Sequence, residues 1–162
     1  MSDLPAAITG DLAAWRGLRH GTRRDDVQRE LPGDWTSESA AGVRVGRSFE
    51  ILRSGDVEVW IPTGEPLVSS VEFPARAVDH AALLEPLGEP ELAVTSRQFA
   101  PDAFVQDWIY ASHGLTLSVA KPFDGGDVSV VFVQLYEPTD TTTFLTLVGQ
   151  SGPEMHAFPA DP

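Results

Sequence analysis

Leu18-Arg19-His20-Gly21-Thr22-Arg23-Arg24-Asp25-Asp26-Val27-Gln28-Arg29-Glu30-Leu31-Pro32-Gly33 reads as a turn, a capped helix and a helix stop. Thr22 takes the N-cap position, with Asp25 three residues on, close to a capping box. Asp26 adds negative charge at the positive end of the helix. Val27 and Leu31 lie one turn apart and should face a core, and Pro32-Gly33 ends the helix. Asp79-His80-Ala81-Ala82-Leu83-Leu84-Glu85-Pro86-Leu87-Gly88-Glu89-Pro90 reads as a looser copy, broken late by Pro86. Strand-like segments follow each phrase, so the expectation is one helix-plus-strands unit used twice.

Outward from the first phrase, Ile8-Thr9-Gly10-Asp11 opens a short helix with Leu12, Trp15 and Leu18 at helical spacing. Thr36 to Gly42 reads as a polar loop. Ser48 to Arg53 and Asp56 to Ile61 form a hairpin about Ser54-Gly55. Val57, Val59 and Ile61 take one side of it, and Asp56, Glu58 and Trp60 the other. Leu67 to Phe73 is a third strand, with Leu67, Val71 and Phe73 on one face.

The second phrase is followed by an ambiguous stretch, 91–104, in which Pro101 excludes a central strand. Phe104 to Ala111 and Gly114 to Ala120 are strands around Ser112-His113-Gly114. Val128 to Tyr136 is almost continuously apolar, as a strand covered on both faces would be. A short helix runs through Phe144, Leu145 and Leu147, and Ser151 to Pro162 is a loose tail. Val27 and Leu31 moved on by 56 positions fall on Leu83 and Leu87. Val57, Val59 and Ile61 moved on by 58 fall on Leu115, Leu117 and Val119, and Pro74 moved on by 64 falls on Pro138. Added loop length costs little, so such drift is compatible with duplication.

The expected fold is α+β. It has two similar halves, 1–76 and 77–150, each with short helices packed on an antiparallel sheet, either separate or joined into one continuous sheet. Residues 151–162 form the tail.

The chain has 162 residues, 42% hydrophobic and 22% charged, a composition that supports a globular core. Its formal net charge of −13 argues against nucleic acid and permits a basic partner. Without cysteine there is no disulfide, thiolate nucleophile or thiolate ligand. Met1-Ser2-Asp3-Leu4-Pro5 lacks the start of a signal peptide, and no apolar run is long enough to span a bilayer. A cytoplasmic protein with no membrane association is the resulting expectation.

Catalytic signatures are sparse. His20, His80, His113 and His156 show no helical zinc spacing. Gly42-Val43-Arg44-Val45-Gly46 lacks the lysine and third glycine of a phosphate loop, and no Gly-x-Ser-x-Gly elbow occurs. Asp124 and Asp127 around two glycines fit a hairpin turn better than a calcium loop. Glu50, Asp56, Glu58 and Glu72 are candidates to share a sheet surface. There a buried carboxyl would serve acid–base chemistry and an exposed one solvation. No cofactor and no metal is expected.

The phrase Leu-x-x-Gly-Thr-Arg-x-x-x-Val-x-x-x-Leu, Leu18 to Leu31, resembles the opening of a module shared by β-lactamase-inhibitor proteins and small outer-membrane assembly lipoproteins. The resemblance implies a helical pair ahead of a short antiparallel sheet, two such modules in tandem in the inhibitors, and a sheet face free to bind protein. It covers about 15 residues well and the rest by element order. Those families are exported, and the inhibitors carry disulfides. This N-terminus is no leader and the chain has no cysteine, so inhibition of β-lactamase itself is not implied.

These observations lead to an expected function without catalysis: a cytoplasmic inhibitor or immunity-type protein that masks a basic partner. Trp60, Trp108 and Tyr110 are the expected anchors, and Glu58, Asp56 and Glu72 the steering charges. The competing reading of Trp60 is core. The alternatives for the whole chain are a small-molecule binder or small enzyme using His113 or a carboxylate in a pocket between helices and sheet, and a self-associating structural protein, monomer and homodimer both being open.

Overall fold

A computed structural model describes residues 21–30, 33–44, 47–75, 80–96, 98 and 100–147. Their elements run α1 (Arg24–Glu30), β1 (Thr36–Arg44), β2 (Arg47–Ser54), β3 (Val57–Pro62), β4 (Ser70–Pro74) and α2 (His80–Leu87). Then come β5 (Leu92–Thr95), β6 (Ala103–Tyr110), a 3₁₀ turn (Ala111–His113), β7 (Leu115–Pro122), β8 (Ser129–Tyr136) and α3 (Thr141–Leu147). The eight strands form one continuous antiparallel sheet in the order β1-β2-β3-β4-β8-β7-β6-β5. The seam between the two four-strand runs is the β4–β8 pair, from Ser70 opposite Tyr136 to Pro74 opposite Phe132. The fold is mostly β, with three short helices among the described residues.

Strand parity decides which side chains meet the helices. Leu52 lies opposite Val59, Val59 opposite Val71, and Val71 opposite Leu135, which lies opposite Leu115. This apolar face carries Val27 of α1 and Leu84 and Leu87 of α2 in one shared core. β8 lies between β4 and β7 at the centre of the sheet, which explains its unbroken apolar run: Val133 and Leu135 join the helix-side core, while Tyr136 packs on the far side with Phe144 of α3. Asp140 caps α3, its carboxylate accepting from the Thr143 N–H at 2.9 Å.

Three sequence expectations change. Thr36 to Gly42, read as a polar loop, belongs to β1. An edge strand needs one neighbour for half its hydrogen bonds and no buried face, so small polar residues suffice. β2 supplies that neighbour, with a register shift between Ala40 and Arg44. The ambiguous 91–104 stretch contains β5, also an edge. Leu67 stays outside β4, exposed and bridged to Arg23. The expected helix near Leu12 and Trp15 and the tail 151–162 lie outside the described residues, as do Leu18 to His20, Leu31 and Pro32 of the opening phrase.

Candidate functional site

The β2–β3 hairpin turns at Gly55, whose φ of 59° suits glycine. The turn brings Arg53 and Glu58 into cross-strand register on the face away from α1 and α2. The same row continues through Glu72 of β4, Gln134 of β8 and Thr116 of β7. Arg53 Nε donates to Glu58 Oε1 at 2.7 Å, and its Nη1 donates to Glu38 of β1. The Trp60 indole N–H donates to the other Glu58 oxygen at 3.2 Å, and Gln134 Nε2 donates to Glu72 Oε1 at 3.0 Å. The hydrogen bond that Arg53 donates to Glu58 raises the Arg53 pKa further, against the opposing effect of burial. The result is an acidic ribbon: Glu38, Glu58 and Glu72 accompany one arginine.

The placement of the expected residues is uneven. Glu38 is 55% exposed along its side chain and Asp56 is exposed at the turn, whereas Glu72 is only 9% exposed. Trp60 is 7% exposed and packs edge-on against Phe49, with ring centroids 5.6 Å apart, in a cluster with Ile51. Its core reading is the better one, and its indole N–H orients Glu58. Trp108 and Tyr110 lie on the opposite face, because Trp108 pairs with Leu117 and Tyr110 with Leu115. Tyr110 is 1% exposed, and its hydroxyl donates to the Gly88 carbonyl at 3.0 Å. The three aromatics therefore do not form one surface.

Glu50 also leaves the expected carboxylate group. It pairs across β2–β3 with Ile61, on the helix face, and is clasped by Arg24 of α1 through Nε at 2.6 Å and Nη2 at 2.5 Å. The Arg24 hydrogen bond holds the Glu50 pKa below its ordinary value.

His113 has neighbours that invite a catalytic reading. Ser112 Oγ lies 3.2 Å from His113 Nδ1 and donates to Glu91 Oε1 at 2.5 Å. A serine hydroxyl has one proton. Here it goes to Glu91, an arrangement in which the Ser112 proton is directed away from His113. Glu91 also accepts from the Ser112 N–H at 2.9 Å and from Thr141 Oγ1 at 2.9 Å. Burial pushes its pKa up, but the Ser112 and Thr141 hydrogen bonds outweigh this and leave it lowered. Glu91 thus ties the lead-in to β5, the 3₁₀ turn and the start of α3 together.

Sequence reasoning missed Arg53 and Glu38 as members of the ribbon, and the buried Asp107–Ser118 pair, linked at 2.6 Å. The Arg53–Glu58 contact was findable, since the two residues flank the Gly55-Asp56 turn symmetrically. The others depend on register between strands. Among the described residues no group of three or more His, Asp or Glu side chains is placed to hold a metal, and no helix is long and apolar enough to cross a membrane. Phe123, at the β7–β8 turn, is 73% exposed and held by its N–H bond to the Asp102 carbonyl at 3.1 Å.

No protein-family model, curated protein or solved structure matches the chain.

Proposed function

We propose that this chain is a protein-binding module without catalysis, built from two copies of one helix-plus-four-strand unit, which masks a basic partner through the acidic side of its sheet. The observation that carries this reading is the ribbon in which Glu38 and Glu58 both accept from Arg53, Glu72 stands opposite Glu58, and Asp56 is exposed beside them. The net charge of −13 would steer a cationic protein inward, and the exposed Glu38 and Asp56 would meet it first. Trp60 contributes by fixing Glu58 rather than by entering the partner. Ser112 hydrogen-bonded to Glu91 supports this reading over an enzyme centred on His113.

Register supports the duplication. One cross-sheet row runs Thr36, Arg53, Glu58, Glu72, Gln134, Thr116, Ile109, Leu92. Folding that row about the β4–β8 seam matches Thr36 with Leu92, Arg53 with Ile109, Glu58 with Thr116 and Glu72 with Gln134. The separations are 56, 56, 58 and 62 residues. The matched residues all lie in one row and so on one face, and 58 is the spacing read from the β3 and β7 sequences. The tandem module implied by the Leu18–Leu31 resemblance shares the order of helix before antiparallel strands.

The test is titration of a labelled oligo-arginine peptide into two double variants of equal charge change, Glu38→Lys with Asp56→Lys and Asp102→Lys with Asp127→Lys. The first pair should lose at least about tenfold more affinity, a difference of ~1.4 kcal/mol. Equal losses would mean that net charge alone attracts the peptide, and the ribbon would have no special role.

A further inference from the structure

We propose that β1 is a self-association edge, through which two copies of this chain pair antiparallel and continue the sheet across a two-fold axis. The sheet ends on β1 and β5, and the two ends are built differently. β5 is four residues long, with Pro90 ahead of it and Pro101 beyond it, and short, proline-bounded edges resist pairing. β1 has nine residues and contains neither Pro nor Lys, and Thr36 to Ser39 are exposed. Among the described residues its only strand partner is β2, and over Thr36 to Ser39, about 13 Å of strand, the residues on that edge are exposed.

Charge selects the occupant and its register. Antiparallel pairing centred on Ala41 sets Glu38 across from Arg44 of the second copy, twice by symmetry. Ala40, Ala41 and Gly42 then occupy the crossing, where small residues let backbones approach and where the β1–β2 register shift falls. Centring on Glu38 would instead set it against its own copy. Within one chain Arg44 is the register partner of Arg47. The second copy brings a carboxylate to that end. This inference shares Glu38, which Arg53 holds within one chain, with the basic-partner reading, but its test reads self-association rather than peptide binding.

Two copies, each of net charge −13, repel at long range, whereas the Glu38–Arg44 contacts attract at short range. Salt near 0.1 M, with a Debye length of ~10 Å, removes more of the repulsion than of the contact. Association should therefore strengthen from low salt to that point. A joint of one strand pair is smaller than the ~1,600 Å² of a standard interface, so the dimer should be weak and concentration-dependent.

Sedimentation velocity on the full chain from ~1 μM to ~1 mM, the range of weak dissociation constants, tests this. The wild type should shift from monomer to dimer. Glu38→Arg and Arg44→Glu should each remain monomeric, and an equimolar mixture of the two should dimerise, since each chain then carries the charges the other lacks. A wild type that stays monomeric throughout overturns the proposal, as do single variants that dimerise like the wild type. Hydrogen–deuterium exchange on the unaltered protein gives a second readout if a variant folds poorly. Amides of β1 should gain protection with concentration while those of β5 do not, and protection elsewhere would place the contact on another surface and overturn the assignment.

Discussion

Glu58 and Glu72 stand directly opposite one another on β3 and β4, on the same face of the sheet. Cross-strand partners have Cβ atoms about 5 Å apart, at which like charges disfavour pairing. The sheet tolerates them because each carboxylate has a donor on its outer side, Arg53 for Glu58 and Gln134 for Glu72. The acidic ribbon therefore depends on one cation.

Replacing that cation should expose the conflict. Arg53→Met is expected to lower stability by ~1–2 kcal/mol, because it strands Glu58 beside Glu72. Adding Glu72→Gln should recover part of the loss. Urea unfolding of the single and double variants checks this, and a double variant as unstable as the sum of the two single changes would show that the carboxylates do not interact.

Gly114 should be intolerant of any side chain. Its φ is 65°, and an added Cβ would come within 2.2 Å of the Tyr136 carbonyl oxygen. Gly114→Ala should cost more than ~3 kcal/mol or prevent folding. Gly125→Ala, at φ 81° with nothing within 4 Å, should cost only ~1–2 kcal/mol. Thermal melts of the two variants separate clash from backbone conformation.

Acid should undo the α1–β2 link. The folded pKa of Glu50 lies below its unfolded value of 4.5, so the Arg24 pair contributes fully above pH 4.5 and is lost as pH falls through the folded pKa. Glu50→Gln should accordingly be less stable than wild type at pH 7, with the gap narrowing below pH 4.5. A gap unchanged down to acid unfolding would assign the effect to packing.

The two tyrosines should be silent to base until the chain unfolds. Burial pushes Tyr110 up to about 12 and Tyr136 higher still, from an ordinary value of 10.0. Folded pKa values above the unfolded ones mean that stability is retained below pH 10.0 and declines as pH rises above it. Tyrosinate absorbance should appear together with loss of the far-ultraviolet strand signal. An earlier, separate titration would show that one ring is solvated.

Much of the architecture was legible because local patterning and tertiary context agreed. The Ser54-Gly55 hairpin, the alternation of Val57, Val59 and Ile61 and the apolar run of β8 each mark a strand with a buried face. β1 was not legible, because Thr36 to Gly42 has no buried stripe and owes its conformation to β2. The site was less legible than the fold. Parity correctly separated Trp60 from Val59 but did not say which face stays open, since Phe49 and Ile51 come from another strand.

Alternation along single strands and the helix openings determined that this chain makes short helices and antiparallel strands in two runs, because those signals act between near neighbours. The tertiary structure alone decided that the runs share one sheet, that Trp60 and Trp108 lie on opposite faces, and that Arg53 sits between Glu38 and Glu58. These facts depend on register between strands distant in sequence. A shift of one residue there exchanges the two faces without changing the pattern along any strand.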